Sequence, residues 1–149
     1  MNIFVSDVLK RSCQGGGMDQ GKLKECRVLC VDDDKHLLDH ISVILNMIGI
    51  SQVTTVETAT KALAIISENL NAFDVILCDL HMPDIDGMHL MSDLRRIGFK
   101  GNVGIISGAG EMFLEISARF GDAQQLNILG AIDKPVTVET LQHLLEGRT

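Results

Sequence analysis

Apolar runs recur along the chain, and each closes on polar residues. Arg27–Val31 is followed by Asp32, Asp33 and Asp34; Val75–Cys78 ends on Asp79; Val103–Ile106 ends on Ser107; Ile128–Ile132 is followed by Asp133, Lys134 and Pro135. Between the runs the apolar spacing changes to three and four residues, the period of a helix with one buried face. Strands are predicted at 27–31, 52–56, 74–78, 102–106 and 128–132. The first helix should bury Leu37, Ile41, Ile44, Leu45 and Ile48, and Gly49 stands where a left-handed helix stop belongs. A second should be capped by Thr58 and bury Ala59, Leu63, Ile66 and Leu70. A third carries Leu90, Met91, Leu94 and Ile97 and ends near Gly98. A fourth runs from about Glu111 past Phe120, with Phe113 and Phe120 in the core. A fifth begins near Thr137 and carries Val138, Leu141, Leu144 and Leu145.

Strand–helix units in alternation predict an α/β domain. Strands 1, 3 and 4 lack polar alternation, which predicts a parallel sheet covered on both faces. Right-handed crossovers then make it a five-stranded doubly wound sheet in a three-layer sandwich.

At 149 residues the chain is read as one domain with one core. Residues 1–24 stand apart as a flexible N-terminal extension with a Gly-rich stretch at 12–17, and 25–149 are the folded domain. A net charge of −7, from 13 basic and 20 acidic residues, argues against general nucleic-acid affinity. No apolar run approaches the roughly 18 residues that span a bilayer, and residues 1–12 do not read as a signal peptide. A cytoplasmic location is therefore expected. Cys30 and Cys78 fall inside strands and read as small buried residues. Cys26 and Cys30 lack a second pair at zinc-ligand spacing, and Cys13 reads as an exposed thiol. The chain ends soon after the fifth helix, leaving no expected room for an output module.

Charge at the strand ends changes the picture. In a parallel sheet the carboxyl ends converge on one crevice. Carboxylates crowded there repel unless a cation joins them. With Lys134 and the Ser107 hydroxyl they describe a site for Mg2+ and a phosphoryl group. A carboxylate can attack phosphorus and hold the phosphoryl as an acyl phosphate. Mg2+ and a lysine offset the charge, and a hydroxyl donates to a further oxygen.

Taken together, Val31-Asp32-Asp33, Asp79 to Gly87, Ser107-Gly-Ala109 and Asp133-Lys134-Pro135 resemble the motifs of the two-component response-regulator receiver domain, of the chemotaxis-receiver kind, over about Cys26 to Gly147. The resemblance implies the flavodoxin-like (βα)5 fold in a bacterial, cytoplasmic phosphorelay. It implies Asp79 as phosphoacceptor, with Asp32 and Asp33 as Mg2+ acids and the backbone carbonyl of His81 completing the ligands. It implies Ser107 as switch hydroxyl, Lys134 as phosphoryl-binding lysine, Ala109 in support, and Pro135 after a cis peptide. A histidine kinase or histidine phosphotransfer protein would supply the phosphoryl group. The domain would catalyse only its own phosphorylation and dephosphorylation.

The sequence departs from that family in three places. Ala131 stands where an aromatic residue is common, His81 is an unusual occupant two past the acceptor, and the segment between Ser107 and Lys134 is longer. The side made by the fourth strand, fourth helix and fifth strand, with the segment Glu111–Gln125, is the expected partner surface, for a homodimer or an output module. His36 and His40, at zinc-helix spacing, have Leu37 where such a helix carries Glu and read as solvated. Two alternatives stand beside this reading. One is a receiver-shaped scaffold without phosphorylation. The other is a haloacid-dehalogenase-type phosphatase using Asp32 and Asp34, which needs an acidic pair after Lys134 where only Glu139 and Glu146 remain.

Overall fold

A computed structural model describes residues 25–79, 84–85, 87–107 and 126–146, with Met88 and Ser107 described by backbone alone. Its elements are β1 Arg27–Val31, α1 Lys35–Ile48, β2 Gln52–Val56, α2 Ala59–Glu68, β3 Val75–Asp79, α3 Gly87–Ile97, β4 Asn102–Ser107, β5 Asn127–Asp133 and α4 Val138–Leu145. The helix predicted between β4 and β5 lies outside the described residues, as do residues 1–24. The strands form one parallel sheet in the order β2-β1-β3-β4-β5. After β1 the chain winds outward to β2, then crosses back to β3 on the other side of β1. The direction of winding therefore reverses between β1 and β3, where the crevice of a doubly wound sheet opens.

Alternation along each strand sorts the core into two layers. Val28, Cys30, Val75 and Leu77 face one way and pack with α1 and α4 through Leu38, Ile41, Leu45, Leu141 and Leu144. Leu29, Val31, Ile76 and Cys78 face the other way, against Ala62 and Ile66 of α2 and Leu90, Met91 and Leu94 of α3. The central strand β3 is buried along its whole length, while the edge strand β2 is largely exposed. Cys26, Cys30 and Cys78 are buried and form no disulfide among the described residues.

The helix ends follow local chemistry. Gly49 closes α1 at φ 118°, in the left-handed region that glycine enters without a Cβ penalty. Thr58 caps α2 by accepting from the Lys61 N–H at 3.1 Å, and Thr137 and Thr140 cap α4 reciprocally. Two predicted helix faces are rotated. In α1 the buried residues are Leu38, Ile41, Ile44 and Leu45, with Leu37 and Ile48 half-buried. In α2, Ala59, Ala62 and Ile66 are buried and Leu63 is half-buried. Ala59, Ala62 and Ile66 join the buried layer beside the sheet, and Leu63 packs against its margin. β3 also starts one residue later than predicted, because Asp74 turns its carboxylate onto Arg27 and Asp79 is the last strand residue. Among the described residues, no helix is long and apolar enough to cross a membrane.

Candidate functional site

The carboxyl ends of β1, β3 and β5 deliver acids and one base to the crevice. Asp32 follows β1, with its N–H held by the Val56 carbonyl at 3.2 Å. Asp79 ends β3. Oxygen atoms of Asp32, Asp33 and Asp79 all lie within 4.8 Å of one another. Asp32 and Asp79 are buried and Asp33 is exposed. The Lys134 ammonium lies 3.3 Å from Asp79 Oδ2 and 3.5 Å from Asp32 Oδ2. It reaches them from β5 across the sheet, on a four-carbon stem.

Backbone geometry fixes which of the three consecutive acids enters the site. Asp34 caps α1, its Oδ1 accepting from the N–H groups of His36 at 3.0 Å and Leu37 at 3.3 Å. That commitment turns Asp34 to the helix. The Asp34 N–H donates to Asp32 Oδ1 at 2.8 Å, which leaves Oδ2 facing the lysine. The Asp-x-Asp pair that a phosphatase of the dehalogenase type would need is therefore split between two tasks.

Burial pushes the Asp32 carboxyl above its ordinary value, and neighbouring Asp79 adds to the rise. The Asp34 N–H and the Lys134 ammonium oppose it without cancelling it. For Lys134, partial burial favours the neutral amine, but the carboxylates of Asp32 and Asp79 outweigh it and hold the ammonium above its ordinary value. Burial, reinforced by these acids, pushes the Cys30 and Cys78 thiols up to about 12. Both are thus neutral packing groups rather than nucleophiles.

The donor set fits a hard divalent cation. Among the described residues, none donates a hydrogen bond to buried Asp32 Oδ2, and its cationic neighbour stands 3.5 Å away. Three carboxylates with one ammonium carry surplus negative charge, and carboxylate oxygens with room for water suit Mg2+.

The structure thus brings together Asp32, Asp33, Asp79 and Lys134. The Lys134–Pro135 peptide is cis, as expected. The backbone of Ser107 ends β4 at the same end of the sheet, paired with Asp133, while Asp79 pairs with Ile106. The side chain of Ser107, and His81 and Ala109 altogether, lie outside the described residues. So does the segment Glu111–Gln125 proposed as a partner surface.

Two contacts near the site carry no sequence signal. Asp84, read as a loop marker, accepts from the Thr60 N–H and Thr60 hydroxyl, both at 3.0 Å, and from the Ala59 N–H at 3.4 Å. It ties the loop after β3 to the start of α2. Desolvation opposes it, but these donors hold the exposed Asp84 carboxyl below its ordinary value. His40, read as solvated, is exposed but bonds through Nε2 to the Val136 carbonyl at 2.8 Å. A partner 96 residues away leaves no trace in local spacing.

The sheet order, the switch-point crevice and the acid–lysine cluster define a doubly wound phosphoryl-site domain. The chain belongs to the response regulator receiver domain family, whose pattern it matches over residues 28–146. It is a receiver domain of the two-component kind, a module of phosphorelay signalling. It is 33% identical over 126 residues to the two-component response regulator ARR2 of Arabidopsis thaliana, covering 79% of this chain and 17% of that protein. It is 31% identical over 121 residues to the regulator ORR22 of Oryza sativa subsp. indica, covering 79% and 16%. The chain thus spans less than a fifth of the length of either regulator. Among solved structures it resembles a response regulator receiver domain protein of Clostridium thermocellum, with a TM-score of 0.67 and 28% identity, covering 83% of this chain and 93% of that one. The receiver domain of the histidine kinase CKI1 of Arabidopsis thaliana, complexed with Mg2+ and BeF3−, shares the fold at a TM-score of 0.68 and 22% identity, covering 85% and 93%. These relatives come from plants and a bacterium alike, so they do not single out the bacterial setting implied by the motifs.

Proposed function

We propose that Asp79 is the phosphoacceptor of this receiver. The observation that carries the proposal is the Asp79 carboxylate at the end of β3, 3.3 Å from the Lys134 ammonium and beside the acids of Asp32 and Asp33. In the reaction an Asp79 oxygen forms a bond to phosphorus as the bond to the donor's imidazole nitrogen breaks. The imidazole leaves with that electron pair and takes a proton to become neutral histidine. Lys134 pairs with a phosphoryl oxygen, and Ser107 donates to another. Asp32, Asp33, Asp79 and the His81 carbonyl would hold Mg2+, which supplies charge neutralisation between the acids and the incoming group. The CKI1 receiver, which binds Mg2+ and BeF3−, supports this reading by analogy of fold.

The donor is a phosphohistidine on a histidine kinase or phosphotransfer protein, the setting is the cytoplasm, and the domain turns over no other substrate. Residues 25–149 act as the receiver, with 1–24 an extension. Phosphorylation would bias the Ser107 end of β4 and the segment after it toward one arrangement, and a partner that prefers that arrangement reads the signal.

Incubation with a small acyl-phosphate donor and Mg2+ tests the assignment. Intact-mass spectrometry should show one phosphate adduct in wild type and none in Asp79→Asn. Equal adduct yield in both would remove Asp79 from the role.

A further inference from the structure

We propose that His40 is a positioning residue for Lys134. It would set the rate at which the site accepts a phosphoryl group while leaving metal affinity alone. The inference rests on the phosphoacceptor reading above and deepens it.

The site is built on two arms that are far apart in sequence. One arm is the β1–α1 connection, which carries Asp32 and Asp33 and runs through the Asp34 cap into α1. The other is the turn after β5, which carries Lys134, Pro135 and Val136 into the Thr137 cap of α4. Within the sheet the arms are separated by β3 and β4. Besides the Lys134 ammonium, which reaches Asp32 at 3.5 Å, one further side chain among the described residues joins them by a hydrogen bond. His40, on the second turn of α1, reaches the Val136 carbonyl at 2.8 Å. A carbonyl only accepts, so Nε2 carries the proton. This donor role is available to the ring both neutral and charged.

The position of that bond gives it leverage on the chemistry. Val136 is two residues beyond Lys134, and its side chain is buried in the same layer as Leu38 and Ile41 of α1. Among the described residues the Lys134 side chain is anchored at its tip, by two carboxylates, and it is 36% exposed. A lysine stem has many rotamers and is not held by its own geometry. The placement of its ammonium therefore depends on where its backbone is held. Buried Val136 fixes the turn in depth. The His40 hydrogen bond fixes its carbonyl relative to α1, the helix that follows the metal-binding acids. Small misplacements at a charge-neutralising group are costly to rate.

Asp32 also has anchors that do not involve this link. Asp32 is held by the Val56 carbonyl and the Asp34 N–H. Loss of the His40 donor should therefore separate two properties that general loosening would lower together.

The test compares wild type, His40→Leu and His40→Gln in the full chain. Leu keeps the helix and removes the donor, and Gln keeps an N–H donor on a side chain of similar reach. Three quantities are read: the initial rate of phosphorylation by a small acyl-phosphate donor at saturating Mg2+, the Mg2+ dissociation constant, and the thermal midpoint. His40→Leu should lower the rate by about fivefold, the worth of one hydrogen bond. Its Mg2+ affinity should stay within about twofold, and His40→Gln should recover most of the rate. An unchanged rate in His40→Leu would overturn the proposal. So would a rate that falls in step with Mg2+ affinity, or one that Gln fails to restore. Failure of wild type itself to take up phosphate would instead overturn the phosphoacceptor reading on which this one stands.

Discussion

At the amino end of the sheet, Asp74 meets a closed set of partners. Its Oδ2 accepts from the Arg27 N–H at 2.8 Å and from Arg27 Nε at 3.3 Å, and its Oδ1 accepts from the guanidinium at 3.2 Å. Its own N–H donates to the Arg27 carbonyl, and its carbonyl accepts from the Asn102 N–H at 2.9 Å and the Asn102 side chain at 3.2 Å. Asn102 in turn accepts from the Asn127 side chain. The first residues of β1, β4 and β5 are thus stitched to the turn before β3. At the carboxyl end, one strand length away, Asp32, Asp33 and Asp79 cluster, Asp32 and Asp79 share one ammonium, and Asp32 Oδ2 is buried without a hydrogen bond from the described residues.

The same residue type does opposite work at the two ends. A buried carboxylate with a bidentate guanidinium and backbone donors is satisfied, and it holds strands in register. Carboxylates gathered around a single ammonium raise the energy of the ligand-free fold, and binding of a cation can offset that repulsion. Stability sits at one end of the sheet and binding capacity at the other. Because β1 and β3 run through both ends, the stitched end anchors the strands that carry Asp32 and Asp79.

Breaking the closed end should have the largest effect on folding. Asp74→Ala strands the Arg27 N–H and loosens the starts of β1 and β4, at a cost of about 3 kcal/mol in urea denaturation. Because the site acids are held by other bonds, the Mg2+ affinity of the folded fraction should stay near wild type. A stability loss under about 1 kcal/mol would mean the network is ornamental.

The open end should respond in the opposite sense. Asp33→Ala removes an exposed acid of the cluster, so Mg2+ affinity should fall by roughly tenfold or more, a loss of about 1.4 kcal/mol, with folding retained. In wild type, Mg2+ at about a hundred times its dissociation constant should add about 2.7 kcal/mol of stability, and at that same concentration much less in the variant. Titration calorimetry and thermal melts with and without Mg2+ read both quantities.

A smaller effect sharpens the contrast through pH. The folded-state value of Asp32 is raised above the ordinary 3.8, so the folded protein binds this proton more readily than the unfolded chain. The contribution to stability is therefore present below pH 3.8 and is lost as pH rises through the raised value. Asp32→Asn, without Mg2+, should stand about 2–4 °C above wild type in thermal midpoint at neutral pH, the size of about 1 kcal/mol in a domain of this length. The advantage should shrink toward pH 3.8 and reverse when Mg2+ is added. A variant less stable than wild type at neutral pH without Mg2+ would show that the acids are not in conflict.

Part of this molecule is determined by its sequence alone, because the signals are local. Apolar runs without polar alternation mark β1, β3 and β4 as covered strands, and Gly49, Thr58 and Thr137 mark helix ends through their own backbone and side-chain chemistry. Acids and a lysine placed just past strand ends announce a site once a parallel sheet is assumed, since the fold then gathers them whatever the loops do. The tertiary structure alone decided how neighbours of identical type divide their tasks. Asp32 enters the crevice while Asp34 caps α1, because only Asp34 sits where its oxygen reaches the first helical N–H groups. Leu38 is buried and Leu37 is half-buried, because the docking angle of α1 on the sheet chooses between adjacent positions. Asp74 answers Arg27, Asp84 caps α2 from another loop, and His40 finds Val136, each across dozens of residues. Such pairs have no period and no motif. They exist only once the sheet has brought distant strand ends within a hydrogen bond of each other.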